Sequence, residues 1–304
     1  MSQRARQSMF PEGVAPIAAP LISVVIATHN VASCLPHCLN SLRAQSFRDF
    51  EVIVVDGGST DGTVDLLKAA SDVVTEWRSG PDRGIYDAWN KALPLARGEW
   101  IAFLGADDWL WDADALGRLA PALRGAVPRY RIVYSRLRQV DATGRVIDEL
   151  GEPWEACRAR FRSHVCLPHP GLMHHRMLFE RHGGFDDSFR LSADYEFLLR
   201  ELADGDALFV PTLTVGMGWG GSTTSPGNFV LGMQETERAL RLHGLRPPTV
   251  TWAYWLLLAR AYAVLRALVG ERAARRLADL YRVLTFRKPR YSVVQTAGPE
   301  EGSR

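Results

Sequence analysis

Residues 101–108, Ile-Ala-Phe-Leu-Gly-Ala-Asp-Asp, place two adjacent carboxylates, Asp107 and Asp108, at the end of an apolar run. The run has the composition of a buried strand. In an open α/β sheet, ligands collect just beyond the carboxyl ends of the strands. Two acids at such a point suit a divalent cation, a hard ion that takes carboxylate oxygens and shares its remaining positions with phosphate. A structural reading competes with this one: Asp107 could begin a turn and Asp108 could cap a helix starting near Asp112. The segment alone leaves both open.

The elements that must position these acids are legible upstream. Residues 22–27 form an apolar, β-branched run, and Ser33 could cap a helix carrying Leu35, Cys38, Leu39 and Leu42 on one face. Residues 51–55 read as a second strand, ending at Asp56-Gly57-Gly58-Ser59-Thr60-Asp61-Gly62. A helix through Val64, Leu67 and Lys68 then leads to a short third strand around residues 73–76. Residues 84–96 form a further helix despite Pro94, and Gly98 ends it before a strand over residues 100–104. Strands alternating with helical patterns indicate βαβ units and a mainly parallel sheet. Each strand-to-helix loop is polar: Thr28, His29 and Asn30; Asp56 to Asp61; Asp82 and Arg83; Asp107 and Asp108. Stacked along one sheet edge, such loops make a site.

The loop chemistry points to a nucleotide. Gly57 and Gly58 let a backbone approach a ligand closely, and Asp56 can accept a hydrogen bond from a base or ribose. The chain has no G-x-G-x-x-G after its first strand and no G-x-x-x-x-G-K-[ST] anywhere. This counts against a dinucleotide dehydrogenase and a P-loop enzyme. Diphosphate charge must then be met by a metal and by arginine, and Arg83 stands in the right set of loops.

Four segments, residues 22–30 (ISVVIATHN), 50–62 (FEVIVVDGGSTDG), 80–93 (GPDRGIYDAWNKAL) and 98–108 (GEWIAFLGADD), resemble the family-2 glycosyltransferases with the GT-A fold. The later His169-Pro170-Gly171, Gly183-Gly184-Phe185-Asp186, Ser192-Ala193-Asp194-Tyr195-Glu196-Phe197-Leu198 and Gly220-Gly221-Ser222 follow in the family's order. The Asp-Arg-Gly-Ile-Tyr-Asp-Ala-Trp-Asn variant is most similar to bacterial exopolysaccharide and O-antigen enzymes. The resemblance implies that Thr28 and Asn30 line the nucleoside pocket, that Asp56 contacts uracil, and that Asp82 and Arg83 sit near the nucleotide. Asp107 and Asp108 correspond to the DxD-type motif, with Asp108 as direct metal ligand and Asp107 on the ribose or a metal-bound water. Asp194 falls where the family carries its general base, although Ala193 replaces the first acid of the usual pair. His169, before Pro170, falls on the acceptor side.

The implied fold is α/β: a GT-A, Rossmann-like, mainly parallel sheet flanked by helices, with a helical C-terminal extension. The implied organisation is a flexible leader (1–20), a catalytic domain (21–225), a basic helical extension (226–290) and a flexible tail (291–304). The implied reaction is an inverting transfer of a sugar from a nucleoside-diphosphate donor, UDP in the first instance, to a hydroxyl acceptor in cell-surface polysaccharide synthesis. It would be assisted by Mg2+ or Mn2+. Its transition state is oxocarbenium-like; a divalent ion stabilises the departing diphosphate and a carboxylate of raised pKa removes the acceptor proton. Two other classes compete. A metal-dependent nucleotidyltransferase would bring a Gly-rich, Arg/Lys-bearing loop after the first strand, which Ala27-Thr28-His29-Asn30 is not. A non-catalytic nucleotide-sugar-binding protein would have no need of an intact Asp107, Asp108 and Asp194. For Asp194 itself, the plain alternative is a first-turn acid favoured by the dipole of a helix over residues 195–203.

Cys157, His164, Cys166 and His169 have no standard zinc spacing, and four cysteines in 304 residues make no disulfide framework. Residues 1–20 lack an apolar h-region and read as a leader rather than a signal peptide. No stretch offers about 18 uninterrupted apolar residues, and the cytoplasm is the expected address. The net charge of +2 conceals an asymmetry: residues 238–290 carry eleven Arg and Lys288 against Glu271 and Asp279, a net +10. Within them, residues 252–269 form an aromatic, Leu-rich helix interrupted by Arg260 and Arg266. Arginine at a bilayer centre costs roughly 2.5–3.5 kcal/mol, so a position in the interface of an anionic membrane is easier. A lipid-linked acceptor on the inner face of the cell membrane would suit it. Packing on the catalytic domain or a partner subunit is the alternative; nucleic acid is not expected, since no recognition motif accompanies the charge.

Overall fold

The computed structural model describes residues 19–284 except 142, 164, 220–227 and 247–248. The leader up to residue 18, His164, Gly220-Gly221-Ser222 and the tail after residue 284 lie outside the described residues.

Three apolar strands form the centre: β1 (Ile22–Thr28), β2 (Phe50–Asp56) and β4 (Trp100–Gly105). They read as near-continuous apolar runs because helices cover both their faces. β1 pairs in parallel with both neighbours, opposing Thr28 to Asp56 and Ala27 to Gly105. The carboxyl ends of all three strands therefore surface side by side. β3 (Glu76–Ser79) extends this parallel half, pairing Ser79 with Asp56. The third strand lies later than residues 73–76 because Val73 and Val74 are held in a turn by the Ala70 carbonyl.

The second half of the sheet is mixed. From β4 the order continues through β8 (Met173–His175), β6 (Ile132–Val140), β9 (Leu208–Gly218) and β5 (Asp108–Leu110), with β7 (Val146–Leu150) on β6. β8 runs antiparallel to β4 and β6, and β5 antiparallel to β9, while β6 and β9 are parallel. The expected parallel sheet thus occupies the half before residue 105. After it the chain turns through Ala106 and Asp107 straight into an edge strand, with no crossover helix to force parallel pairing.

Alternate residues of β1 serve opposite layers, as the two-residue strand period requires. Val24 and Ile26 face a core shared with α1 (Leu35–Arg43) and α4 (Ala115–Ala126). Val25 faces a second core shared with α3 (Ile85–Ala92), α5 (Trp154–Phe161) and α7 (Ala193–Leu202). Each side chain fully enclosed there contributes about 1.5–3 kcal/mol. The helix after β3 stops at Ala92, short of Pro94, and Ser33 leaves the N-cap of α1 to Cys34. α2 (Thr63–Ala69) and α6 (Met177–His182) complete the main body.

The basic extension begins with α8 (Phe229–Leu242), whose Ala239 and Leu240 join the second core. α9 (Thr249–Val269) and α10 (Glu271–Leu284) follow as a helical pair. Within α9, residues Trp252–Val269 are long and apolar enough to cross a bilayer by length and composition alone.

Candidate active site

The acidic pair sits where β4 turns into β5. Asp108 opens β5, so it caps no helix; α4 starts only at Ala115. Its side chain is buried and its Oδ2 accepts the Gly105 N–H at 3.1 Å, while Asp107 is exposed. Both carboxyls fold back over Gly105, where a Cβ would lie 2.6 Å from Asp108 Oδ2 and 2.8 Å from Asp107 Oδ1. Only glycine permits that approach. Among the described residues no Lys or Arg forms an ion pair with either acid. Burial, and then the neighbouring Asp107 charge, push Asp108 up to about 8. Two adjacent carboxylates without a cationic partner suit a hard divalent ion. The described residues hold no cluster of three or more His, Cys, Asp or Glu side chains that could cage it alone. Such an ion would take the rest of its oxygens from phosphate and water, as Mg2+ commonly does.

Beside this turn, three loops converge on Gly57. A Cβ there would lie 2.5 Å from Asp82 Oδ2 and 3.2 Å from His29 Nδ1. Asn30 takes a left-handed conformation, φ 52°, which its short polar side chain tolerates. Its N–H donates to Ser59 Oγ at 2.8 Å, and its Oδ1 accepts the Thr60 N–H at 2.9 Å. Asn30 thereby ties the first loop to the second.

Asp56 ends β2 and is engaged within the protein. Its carboxylate is completely enclosed and accepts five hydrogen bonds: from the hydroxyls of Thr28, Ser59 and Ser79 and from the N–H groups of Gly58 and Ser59. A carboxylate offers about four lone-pair sites, so these donors occupy both its oxygens. These donors hold its pKa below the ordinary value against the opposing effect of burial. Asp56 and buried Thr28 thereby tie the ends of β1, β2 and β3 together. Asp82 accepts the Gly84 N–H at 3.0 Å. Arg83 is mostly exposed and forms ion pairs with Asp87 and Asp187, bridging α3 to the loop before α7.

Asp194 lies in the first turn of α7, and Tyr86 Oη donates to its Oδ1 at 3.1 Å. Burial raises the carboxyl to about 6, opposed by the Tyr195 N–H and the Tyr86 hydroxyl. Neighbouring Ala193 is buried and brings no second acid; Glu196 is engaged by Arg200 and His243. Two clamps fix this corner. Asn90 of α3 exchanges two 2.8 Å hydrogen bonds with the Phe185 backbone. Glu235 of α8 accepts the N–H groups of Arg190, Leu191 and Ser192 at 2.8, 2.8 and 3.0 Å. Sequence reading missed Tyr86, Ser59, Ser79 and Glu235 as members of the site. Tyr86 could have been found from its place in the Ile-Tyr-Asp-Ala-Trp-Asn motif; Glu235 lies in no motif.

His169 lies in the second core, beneath the helices that carry Tyr86 and Asp194. It is buried, stacked on Trp89 at 5.3 Å and on Phe103 at 6.0 Å. Burial pushes it down to about 3, so it is neutral, and its Nε2 has no hydrogen-bond partner. It belongs to the aromatic core under Tyr86 and Trp89. The four cysteines are free thiols, and Cys38 is buried in the α1 core.

The family model of glycosyl transferase family 2 matches residues 23–153. The PGL/p-HBAD biosynthesis glycosyltransferase of Mycobacterium bovis (strain BCG / Pasteur 1173P2) is 37% identical over 187 residues, covering 60% of this chain and 70% of the relative. Among solved structures, the mannosyltransferase PcManGT from Pyrobaculum calidifontis, in complex with GDP-Man and Mn2+, superposes with TM-score 0.62 at 20% identity over 92% of this chain and 85% of that one. S. aureus TarS 1–349 in complex with UDP-GlcNAc gives TM-score 0.57 at 20% identity over 72% of this chain and 66% of that one. The strand-end acids, the converging nucleotide-side loops and these likenesses agree: the chain belongs to glycosyl transferase family 2 and is a glycosyltransferase with the GT-A fold.

Proposed function

We propose that this enzyme transfers a sugar, with inversion, from a nucleoside-diphosphate donor to a hydroxyl of a bacterial cell-surface polysaccharide or glycolipid. The observation that carries the proposal is Asp194, a carboxyl raised to about 6 and oriented by Tyr86. A group of that pKa is largely ionised at neutral pH yet basic enough to take a proton from a hydroxyl as it attacks. In one step the acceptor oxygen bonds to the anomeric carbon, its proton passes to Asp194, and the anomeric C–O bond breaks with its electron pair leaving on the diphosphate. Tyr86 engages Oδ1 and orients the carboxylate that takes the proton. No second nucleophile is invoked, so the anomeric configuration inverts.

Asp108 and Asp107 would hold Mg2+ or Mn2+, which when bound supplies Lewis-acid charge for the departing diphosphate. Asn30, Asp82 and the Gly57-Gly58 backbone form the nucleoside wall, stiffened by Asp56. The related mycobacterial enzyme is named for PGL/p-HBAD biosynthesis, and the solved neighbours hold UDP-GlcNAc or GDP-Man with Mn2+. These names support the donor class, the cation and a glycolipid or polysaccharide product. A nucleotide-sugar donor makes the cytoplasm the working address.

The test is incubation with Mn2+ and a panel of UDP-, GDP- and dTDP-sugars, following nucleoside diphosphate release with and without hydroxyl acceptors. Acceptor-stimulated release from one donor class is expected. Release of pyrophosphate from nucleoside triphosphates would instead identify a nucleotidyltransferase, and binding without turnover a non-catalytic protein.

A further inference from the structure

Helix α9 is almost entirely uncovered: of Trp252–Val269 only Ala259 is buried. Its large apolar side chains recur at helical spacing, with Tyr254 45%, Leu257 66%, Val264 59% and Leu268 78% exposed. On α10 the spacing repeats at Leu277, Tyr281 and Leu284, exposed by 44%, 36% and 71%. The hydroxyls of Tyr254 and Tyr281 touch, so the start of α9 lies beside the end of α10 and the two stripes adjoin. A contiguous apolar surface of this kind marks a contact with something else.

Charge decides what that partner is. The two helices carry six arginines against Glu271 and Asp279, and Asp279 is buried. Arg260 of α9 and Arg276 of α10 are exposed. A second copy seated on this face would set one cationic helical pair against another, and like charges brought together disfavour association. An anionic bilayer satisfies both features: apolar side chains enter the acyl boundary while guanidinium groups stay among phosphates. Although α9 is long enough to span, spanning would carry Arg260 and Arg266 into hydrocarbon and drag its partner α10, with Arg275, Arg276 and Arg282, towards it. We propose that α9 and α10 together form a docking surface for anionic phospholipid and lie in the plane of its headgroups.

The experiment uses the full chain and large unilamellar vesicles of phosphatidylcholine, with or without phosphatidylglycerol. The enzyme sediments with the anionic vesicles, is partly released by high salt because screening weakens the charge attraction, and is fully removed by alkaline carbonate. Leu257→Asp with Leu268→Asp lowers the vesicle partition coefficient by about tenfold or more. Arg260→Glu with Arg276→Glu removes the salt-sensitive part while keeping the apolar surface. Circular dichroism and nucleoside diphosphate release in the absence of vesicles stay at the wild-type level in both variants. This separates loss of docking from loss of fold and from any failure of the proposed reaction. Wild-type protein left in the supernatant, or variants that bind as wild type does, would overturn the proposal. Retention after carbonate would overturn the in-plane placement in favour of a span. A dimer in sedimentation velocity without vesicles, dissolved by the leucine substitutions, would make a second copy the occupant.

Discussion

The phenol of Tyr86 on α3 donates a hydrogen bond to Oδ1 of Asp194 on α7 at 3.1 Å, across 108 positions of sequence. A hydrogen bond to the ionised form lowers a carboxyl pKa, whereas burial raises it. In Asp194 burial dominates, and the Tyr195 N–H and then Tyr86 limit the rise to about 6. The hydroxyl of Tyr86 is itself held well above its ordinary value by burial and by the Asp194 charge, so it stays protonated and keeps donating.

Tyr86→Phe removes this donor without changing the ring. The Asp194 pKa then rises further, so the base is protonated over a wider acidic range. The acid limb of the kcat–pH profile moves to higher pH, while KM for the donor changes little. An unmoved acid limb would dissociate Tyr86 from the titrating base.

Asp194→Asn retains the shape of the side chain and loses its basicity. Donor binding persists and transfer falls by about 10²–10⁴, the usual contribution of a positioned general base. The loss lies in kcat rather than in donor affinity. Proton NMR couplings of the product made by wild-type enzyme should report an inverted anomeric centre. A retained configuration is incompatible with a single displacement.

Asp108→Asn removes one of two crowded carboxylates, so the protein stays folded and its melting temperature does not fall. Turnover nevertheless drops by at least about a hundredfold, because charge on the departing diphosphate loses its metal-borne compensation. Excess EDTA has the same effect on wild type, and added Mn2+ or Mg2+ reverses it. Full activity in EDTA counts decisively against a cation at this turn.

Glu235→Ala leaves the Arg190, Leu191 and Ser192 N–H groups without their acceptor. Hydrogen bonds to charged groups contribute about 1.5–3 kcal/mol each and are not additive, so a stability loss of about 2–4 kcal/mol by urea denaturation is expected. Glu235→Gln keeps one acceptor oxygen and loses less. In both, kcat falls more than donor KM rises, because the turn displaced leads into Asp194 and not into the nucleoside wall.

Much of the frame was legible in residue order. Ile22–Thr28, Phe50–Asp56 and Trp100–Gly105 announce themselves as strands because a strand covered on both faces is apolar almost throughout. Turn chemistry is equally local, so the loops at Asn30, Gly57 and Gly105 and the acidic pair at Asp107 and Asp108 could be placed at strand ends before any contact was known. The basic, aromatic character of α9 is likewise a property of composition.

Folding decided which polar groups remain for a ligand. Asp56 reads as a strand-end acid, and the parallel pairing of β1, β2 and β3 sets the Thr28 and Ser79 hydroxyls on its oxygens. His169 reads as an acceptor contact, yet Trp89 and Phe103 enclose it. Glu235 carries no local signal and Tyr86 only its place in a motif, yet each addresses the α7 corner, from 43 to 45 and from 108 residues away. The mixed second half of the sheet belongs to the same class, since strand direction depends on which edges remain open once the parallel half is built. Periodicity and turn chemistry are written by neighbours within a few residues. The partner of a buried polar group is chosen by topology, which joins positions that residue order leaves far apart.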